Sequence, residues 1–194
     1  MTIKVGLTGS IAAGKSTTAH LFLDEGCDLW DADFAVHQLY ARGGAAVTPM
    51  QMHFPQAIVD GMVSREILRN IVSIDCNALR SIERIIHPLV AQHQETFLNE
   101  SKADVVVFDI PLLFETGNDN NMDITVCVSI DAKTQRQRVM NRGGDSMKLF
   151  RQLSDNQLSD AEKCKRANYI IISDTIEHAK RQVRSIMKQI MAEI

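Results

Sequence analysis

The 194-residue chain is 45% hydrophobic and 23% charged, close to ordinary globular proportions and long enough for one α/β domain with its own core. Its formal net charge of -3 excludes the broad basic surface that duplex nucleic acid demands, but allows a small anionic ligand held by a local cluster of donors. No run of about 18 apolar residues occurs, and Met1-Thr2-Ile3-Lys4-Val5 enters a strand pattern directly, unlike a secretory leader. A cytoplasmic protein is expected, with no membrane or nucleic-acid partner and monomeric or weakly self-associating. Cys27, Cys76, Cys127 and Cys164 are spaced too widely for a C-x-x-C pair, and Cys127, within an apolar run, reads as a buried free thiol.

In chain order, the apolar run from Ile3 to Leu7 predicts a buried strand ending in glycine-rich sequence. Residues Lys15 to Glu25 carry Ala19, Leu21 and Phe22 at helical spacing, with Gly26 as the stop. A short second strand is predicted over 27–31. Helical stretches follow from Ala35 to about Glu100, clearest from Ala78 to Phe97. The run Val105 to Ile110 is apolar on both faces, as central strands of parallel sheets are. Ile124 to Ile130 and Tyr169 to Ile172 predict the fourth and fifth strands, and 132–142 and 175–194 predict helices. The alternation gives a three-layer, doubly wound, parallel five-stranded α/β sheet. The core comprises about 1–33, 101–135 and 168–194; 34–100 forms a helical substrate-binding insertion and 136–167 a helical lid.

Gly9-Ser10-Ile11-Ala12-Ala13-Gly14-Lys15-Ser16 matches G-x-x-x-x-G-K-[ST], between a predicted strand and a predicted helix. Glycines let the backbone wrap a phosphate chain, and the amides at the helix start favour anions. Residues Gly9 to Thr17 are therefore expected to cradle the phosphates of a nucleotide, with Lys15 reaching the β- and γ-phosphates and Ser16 ligating Mg²⁺. Asp31-Ala32-Asp33 closes the second strand, where ligands of open α/β sheets bind. One of its aspartates either accepts a proton from an attacking hydroxyl or holds a magnesium-bound water; equally, Asp33 caps the next helix. From spacing alone both readings stand. Asp109 ends its strand like a Walker-B acid and is expected to partner magnesium. Arg138 and Arg142 share a helix face ahead of Gly143-Gly144, a hinge for a lid that would neutralise charge on a transferring phosphoryl group. His87, in an apolar helical pattern, reads as a satisfied buried histidine.

With the P-loop, Asp31-Ala32-Asp33, the turn Gly43-Gly44, Asp60-Gly61 with Arg65 and Leu68, His87-Pro88 and Pro111-Leu112-Leu113-Phe114-Glu115, the chain resembles the dephospho-CoA kinases nearly throughout. Arg138, Arg142, Gln157, Lys163, Arg166 and Ala167-x-Tyr169 extend the resemblance through the lid. It implies transfer of the γ-phosphate of ATP to the ribose 3′-hydroxyl of dephospho-CoA. Asp33 would be the base, Lys15 and Ser16 the phosphate and magnesium contacts, and Arg142 with Arg138 the charge stabilisers. Arg65, His87, Leu112 and Glu115 would lie on the acceptor side, and Ser16, Asp33 and Asp109 around Mg²⁺. Ser10 and Ala12 stand where the family has more glycine, and both fit if their φ stays negative. DAD, HP and PLLFE in this order argue against another small-molecule kinase. The missing N-K-x-D element argues against a GTP-dependent switch.

Overall fold

The computed structural model describes residues 2–141 and 157–192. Arg142, Gly143, Gly144, Arg151 and Leu153 lie outside that range. The chain forms two compact units, residues 1–30 with 102–194, and residues 31–101.

The first unit is built on β1 (Ile3–Gly9), β2 (Asp28–Asp31, whose last residue belongs to the second unit), β5 (Val105–Asp109), β6 (Ile124–Ser129) and β7 (Tyr169–Ile172). Their order in the sheet is β2-β5-β1-β6-β7. β1 pairs in parallel with β5 and with β6, and β6 with β7. All five residues of β5 are buried, as the uninterrupted apolar run requires when both faces of a strand are covered. On one face α1 (Lys15–Asp24) and α8 (Ile176–Ala192) pack over Val5, Leu7, Val107, Val126, Val128 and Ile171. The other face receives α7 (Asp160–Arg166), which packs on β6. Because strand side chains alternate, Val126 and Val128 enter the first layer while Cys127 and Ser129 point to the second. The helix α6 (Ala132–Asn141) follows β6.

The second unit is mostly helical: α2 (Ala32–Tyr40), α3 (Val47–His53), α4 (Arg65–Ile74) and the 25-residue α5 (Cys76–Glu100). Capping sets the starts of α2, α4 and α5, since Asp31, Ser64 and Asp75 each accept a hydrogen bond from a first-turn amide. Leu39, Met50, Phe54, Leu68, Ile82 and Ile86 form a separate core. The unit also holds a two-stranded antiparallel hairpin, β3 (Ile58–Val59) and β4 (Met62–Val63), within the stretch read as helical. Its turn is Asp60-Gly61, with φ of 50° and 76°. Two consecutive left-handed residues between short apolar strands are the ordinary hairpin device, and Asp-Gly is its sequence mark. No helix among the described residues is long and apolar enough to cross a membrane.

Candidate active site

The phosphate-type loop runs from the end of β1 into α1. Gly9 is needed because a Cβ there would lie 2.6 Å from the Val128 carbonyl oxygen of the neighbouring strand. Gly14, at φ 93°, caps α1 in the left-handed region. Ala12 takes φ 59°, which overturns the expectation of a negative φ there; the tight reversal of the loop wins over the preference of a side-chain-bearing residue. Ser10 meets that expectation.

The loop is gripped from outside by its carbonyls. Gln135 donates to Ile11 O at 2.8 Å, and Arg138 donates to Ala12 O and Ala13 O at 3.5 and 3.4 Å. Arg138 also donates to Ser173 O at 2.6 Å, while the Ser173 hydroxyl donates to Ala13 O. With the carbonyls tied outward, the first-turn amides of Lys15, Ser16 and Thr17, which have no acceptor within their own helix, remain for an anion. Arg138, expected on the nucleotide, holds the loop's outer side and also lines a cavity beside the loop. Arg142 lies outside the described residues.

Lys15 Nζ is ion-paired with Asp109 Oδ1, and Asp109 is only 2% exposed. Register explains the meeting: Asp109 pairs across from Leu7, two residues before β1 ends. The Ser16 hydroxyl is exposed in the first turn of α1. Ser16 and Asp109 offer hard oxygen donors beside an anion-binding loop, a set that suits Mg²⁺ and not a soft metal.

A cavity of about 450 Å³ adjoins the loop, lined by Gly14, Thr18, Arg138, Asn141, Asp174 and Ile176 among others. The Asp174 carboxyl is held below its usual range chiefly by its hydrogen bond from His178. A hollow of about 500 Å³ beside Glu25, Asp104 and Arg184 lies at the start of β5, the end of a parallel sheet that ligands do not use.

On the Pro111–Glu115 turn, Leu112 is exposed but Glu115 is not open. Its Oε1 accepts from Lys163 Nζ at 3.0 Å and from Leu158 N at 2.9 Å. Lys163, fully buried, also donates to Pro111 O at 3.2 Å. Nothing in the spacing of Lys163 announced a buried ammonium; its partners on the Pro111–Glu115 turn meet it only when α7 lies on the sheet.

In the second unit, Asp31 and not Asp33 is the α2 cap, accepting from Phe34 N at 2.8 Å. That removes the capping reading of Asp33, whose side chain is exposed in the first turn of α2. Arg65, from 32 residues away, donates to Asp33 O at 3.3 Å and sits over the Tyr40 ring at 5.7 Å. His87 is exposed on α5, so the buried-histidine expectation fails: position 87 falls off the stripe that Ile82 and Ile86 bury.

The family model of dephospho-CoA kinase (CoaE) matches residues 3–178. The dephospho-CoA kinase of Ruegeria pomeroyi is 53% identical over 192 residues, covering 99% of this chain and 98% of its own length. Among solved structures, TT1252 from Thermus thermophilus has a TM-score of 0.85 at 30% identity, with 100% of this chain and 98% of that chain covered. The dephospho-CoA kinase from Campylobacter jejuni has a TM-score of 0.70 at 23% identity, covering 98% of both chains, and attests the fold.

Proposed function

The chain belongs to the dephospho-CoA kinase family, and on that premise we propose that it transfers the γ-phosphate of ATP to the ribose 3′-hydroxyl of dephospho-CoA. The observation that carries the reading is the anion-binding loop with Lys15 at its end, paired to the buried Asp109. A phosphotransferase needs little covalent help from the protein; positioning and charge neutralisation supply most of the rate.

The loop amides from Gly9 to Thr17 and the Lys15 ammonium hold the phosphates of ATP, Lys15 swinging from Asp109 to the β- and γ-oxygens. The nucleoside enters the cavity beside Gly14 and Asn141. Ser16 and Asp109, with Asp33, are the residues that would hold Mg²⁺, which when bound neutralises phosphate oxygens. Asp33 takes the proton of the 3′-hydroxyl as its oxygen attacks the γ-phosphorus and the bond to the bridging oxygen of ADP breaks. Arg142 stabilises the charge of the moving phosphoryl group, and Arg138 keeps the loop in shape beneath it. Arg65 orients Asp33 through its carbonyl. The acceptor is held on residues 34–100 with His87, and on Leu112 of the turn that Glu115 anchors; 136–167 acts as the lid. The enzyme works in the cytoplasm, as a monomer or weak homo-oligomer.

ADP release measured across acceptors tests the reading. Turnover with dephospho-CoA and none with free nucleosides is expected, and the reverse pattern would sink it. Asp33→Asn is expected to abolish turnover while ATP binding, followed by calorimetry, persists; near-normal turnover would remove Asp33 from the role of base.

A further inference from the structure

Cys127 and Cys164 are 37 positions apart and share no sequence motif, yet their sulfurs lie 3.8 Å apart. The alternation of β6 turns Cys127 and Ser129 toward α7. On α7, Asp160 and Cys164 occupy i and i+4 and so share one helix face. The Asp160 Oδ2 oxygen is 3.7 Å from the Cys164 sulfur, and the three potential ligand atoms all lie within 4.8 Å of one another.

We propose that Cys127, Cys164 and Asp160 form a binding site for a thiophilic divalent cation, with Zn²⁺ the best match. The distances carry the assignment. With Zn–S bonds of about 2.3 Å and Zn–O of about 2.0 Å, a tetrahedral ion sets its sulfurs about 3.8 Å apart and sulfur from oxygen about 3.5 Å apart. Two edges of such a polyhedron, Cys127–Cys164 at 3.8 Å and Cys164–Asp160 at 3.7 Å, are therefore already near the required length, and the third lies within 4.8 Å. Thiolates are soft donors, which separates this site from the oxygen donors of the phosphate loop and excludes Mg²⁺ as its occupant.

The carboxylate is held in the manner of a metal ligand: Asp160 Oδ1 accepts from Ser10 Oγ at 2.9 Å, and Oδ2 accepts from Ser129 Oγ. Lys163, the nearby cation, is neutralised by Glu115. Access is from the Cys164 side, which is half-buried, whereas Cys127 is fully buried. Binding replaces two S–H protons, released to solvent, with two metal–sulfur bonds and leaves a fourth position open. Through Asp160 and Ser10, an ion here would be tied directly to the phosphate loop.

Full-length protein, reduced and stripped with chelator, is titrated with Cd²⁺ while the near-ultraviolet thiolate-to-cadmium charge-transfer band is followed, and Zn²⁺ is then added in competition. One Cd²⁺ per chain, displaced by Zn²⁺, is expected. The band is expected to vanish in Cys164→Ser and in Cys127→Ser, and to persist in the Cys27→Ser/Cys76→Ser double variant. Asp160→Asn is expected to weaken affinity at least about tenfold. Absence of the band in the unaltered chain, or its survival in folded Cys164→Ser, would overturn the assignment and leave two packed thiols. Circular dichroism on each variant separates loss of ligand from loss of fold.

Discussion

Ala12 holds a backbone conformation that L-residues adopt at a cost of about 1–2 kcal/mol. Ala12→Gly is expected to change unfolding free energy by no more than about 1 kcal/mol, because relief of strain is offset by the greater freedom of glycine in the unfolded chain. Ala12→Val, branched at Cβ, is expected to cost about 2 kcal/mol or more and to weaken ATP binding by distorting the loop; denaturant melts with nucleotide titrations check both. In the proposed reaction Arg142 bears on rate. Arg142→Ala is expected to lower kcat by a factor on the order of 10³, as removal of charge-stabilising arginines does, with little change in the thermal midpoint. A change confined to KM would instead make Arg142 a ground-state contact. Asp31 takes the capping duty that spacing alone had offered to Asp33. The extended backbone of Asp31 lets its carboxylate bond the Phe34 amide, and that geometry frees Asp33.

At the level of elements, the Pro111–Glu115 turn and α7 are joined by the pair of Glu115 and the fully buried Lys163. Removing one partner of a buried pair strands the other charge. Glu115→Ala is expected to destabilise the protein by about 3–5 kcal/mol, and Lys163→Met combined with Glu115→Leu to recover much of that loss. Chemical denaturation of the single and double variants measures it, and an additive double variant would show that the two side chains do not couple. The five strands were legible because buried parallel strands are short apolar runs, and their observed limits differ from the reading by at most two residues. The hairpin at Asp60-Gly61 escaped because its strands are two residues each, too short to show a period against helical surroundings. The turn dipeptide itself was the available signal.

Across the whole molecule, pH reports on buried thiols. Burial is the main cause that raises the Cys27 thiol from its ordinary 9.0 to about 12, helped by the charges of Glu25 and Asp28. A raised acid stays protonated in the folded chain while the unfolded chain ionises. The stabilising effect is therefore complete below pH 9 and is lost as pH climbs toward 12. Stability is expected to fall over that window at a limiting slope of about 1.4 kcal/mol per pH unit for this thiol. Cys27→Ala is expected to flatten that limb of a melting-versus-pH profile, and an unchanged profile would exclude Cys27 as its origin.

The phosphate loop was readable without coordinates because a site made of consecutive residues is local: glycine spacing, the lysine and the hydroxyl act through a single strand-to-helix turn. The same holds for the run of parallel strands, whose burial on both faces leaves its mark in composition. Lys15 with Asp109, Lys163 with Glu115, and Cys127 with Asp160 and Cys164 belong to a different order of fact. Each joins residues far apart along the chain, and each depends on which strands are neighbours and which face of β6 meets α7. Periodicity says that a side chain is buried, but only the order of the sheet says against what.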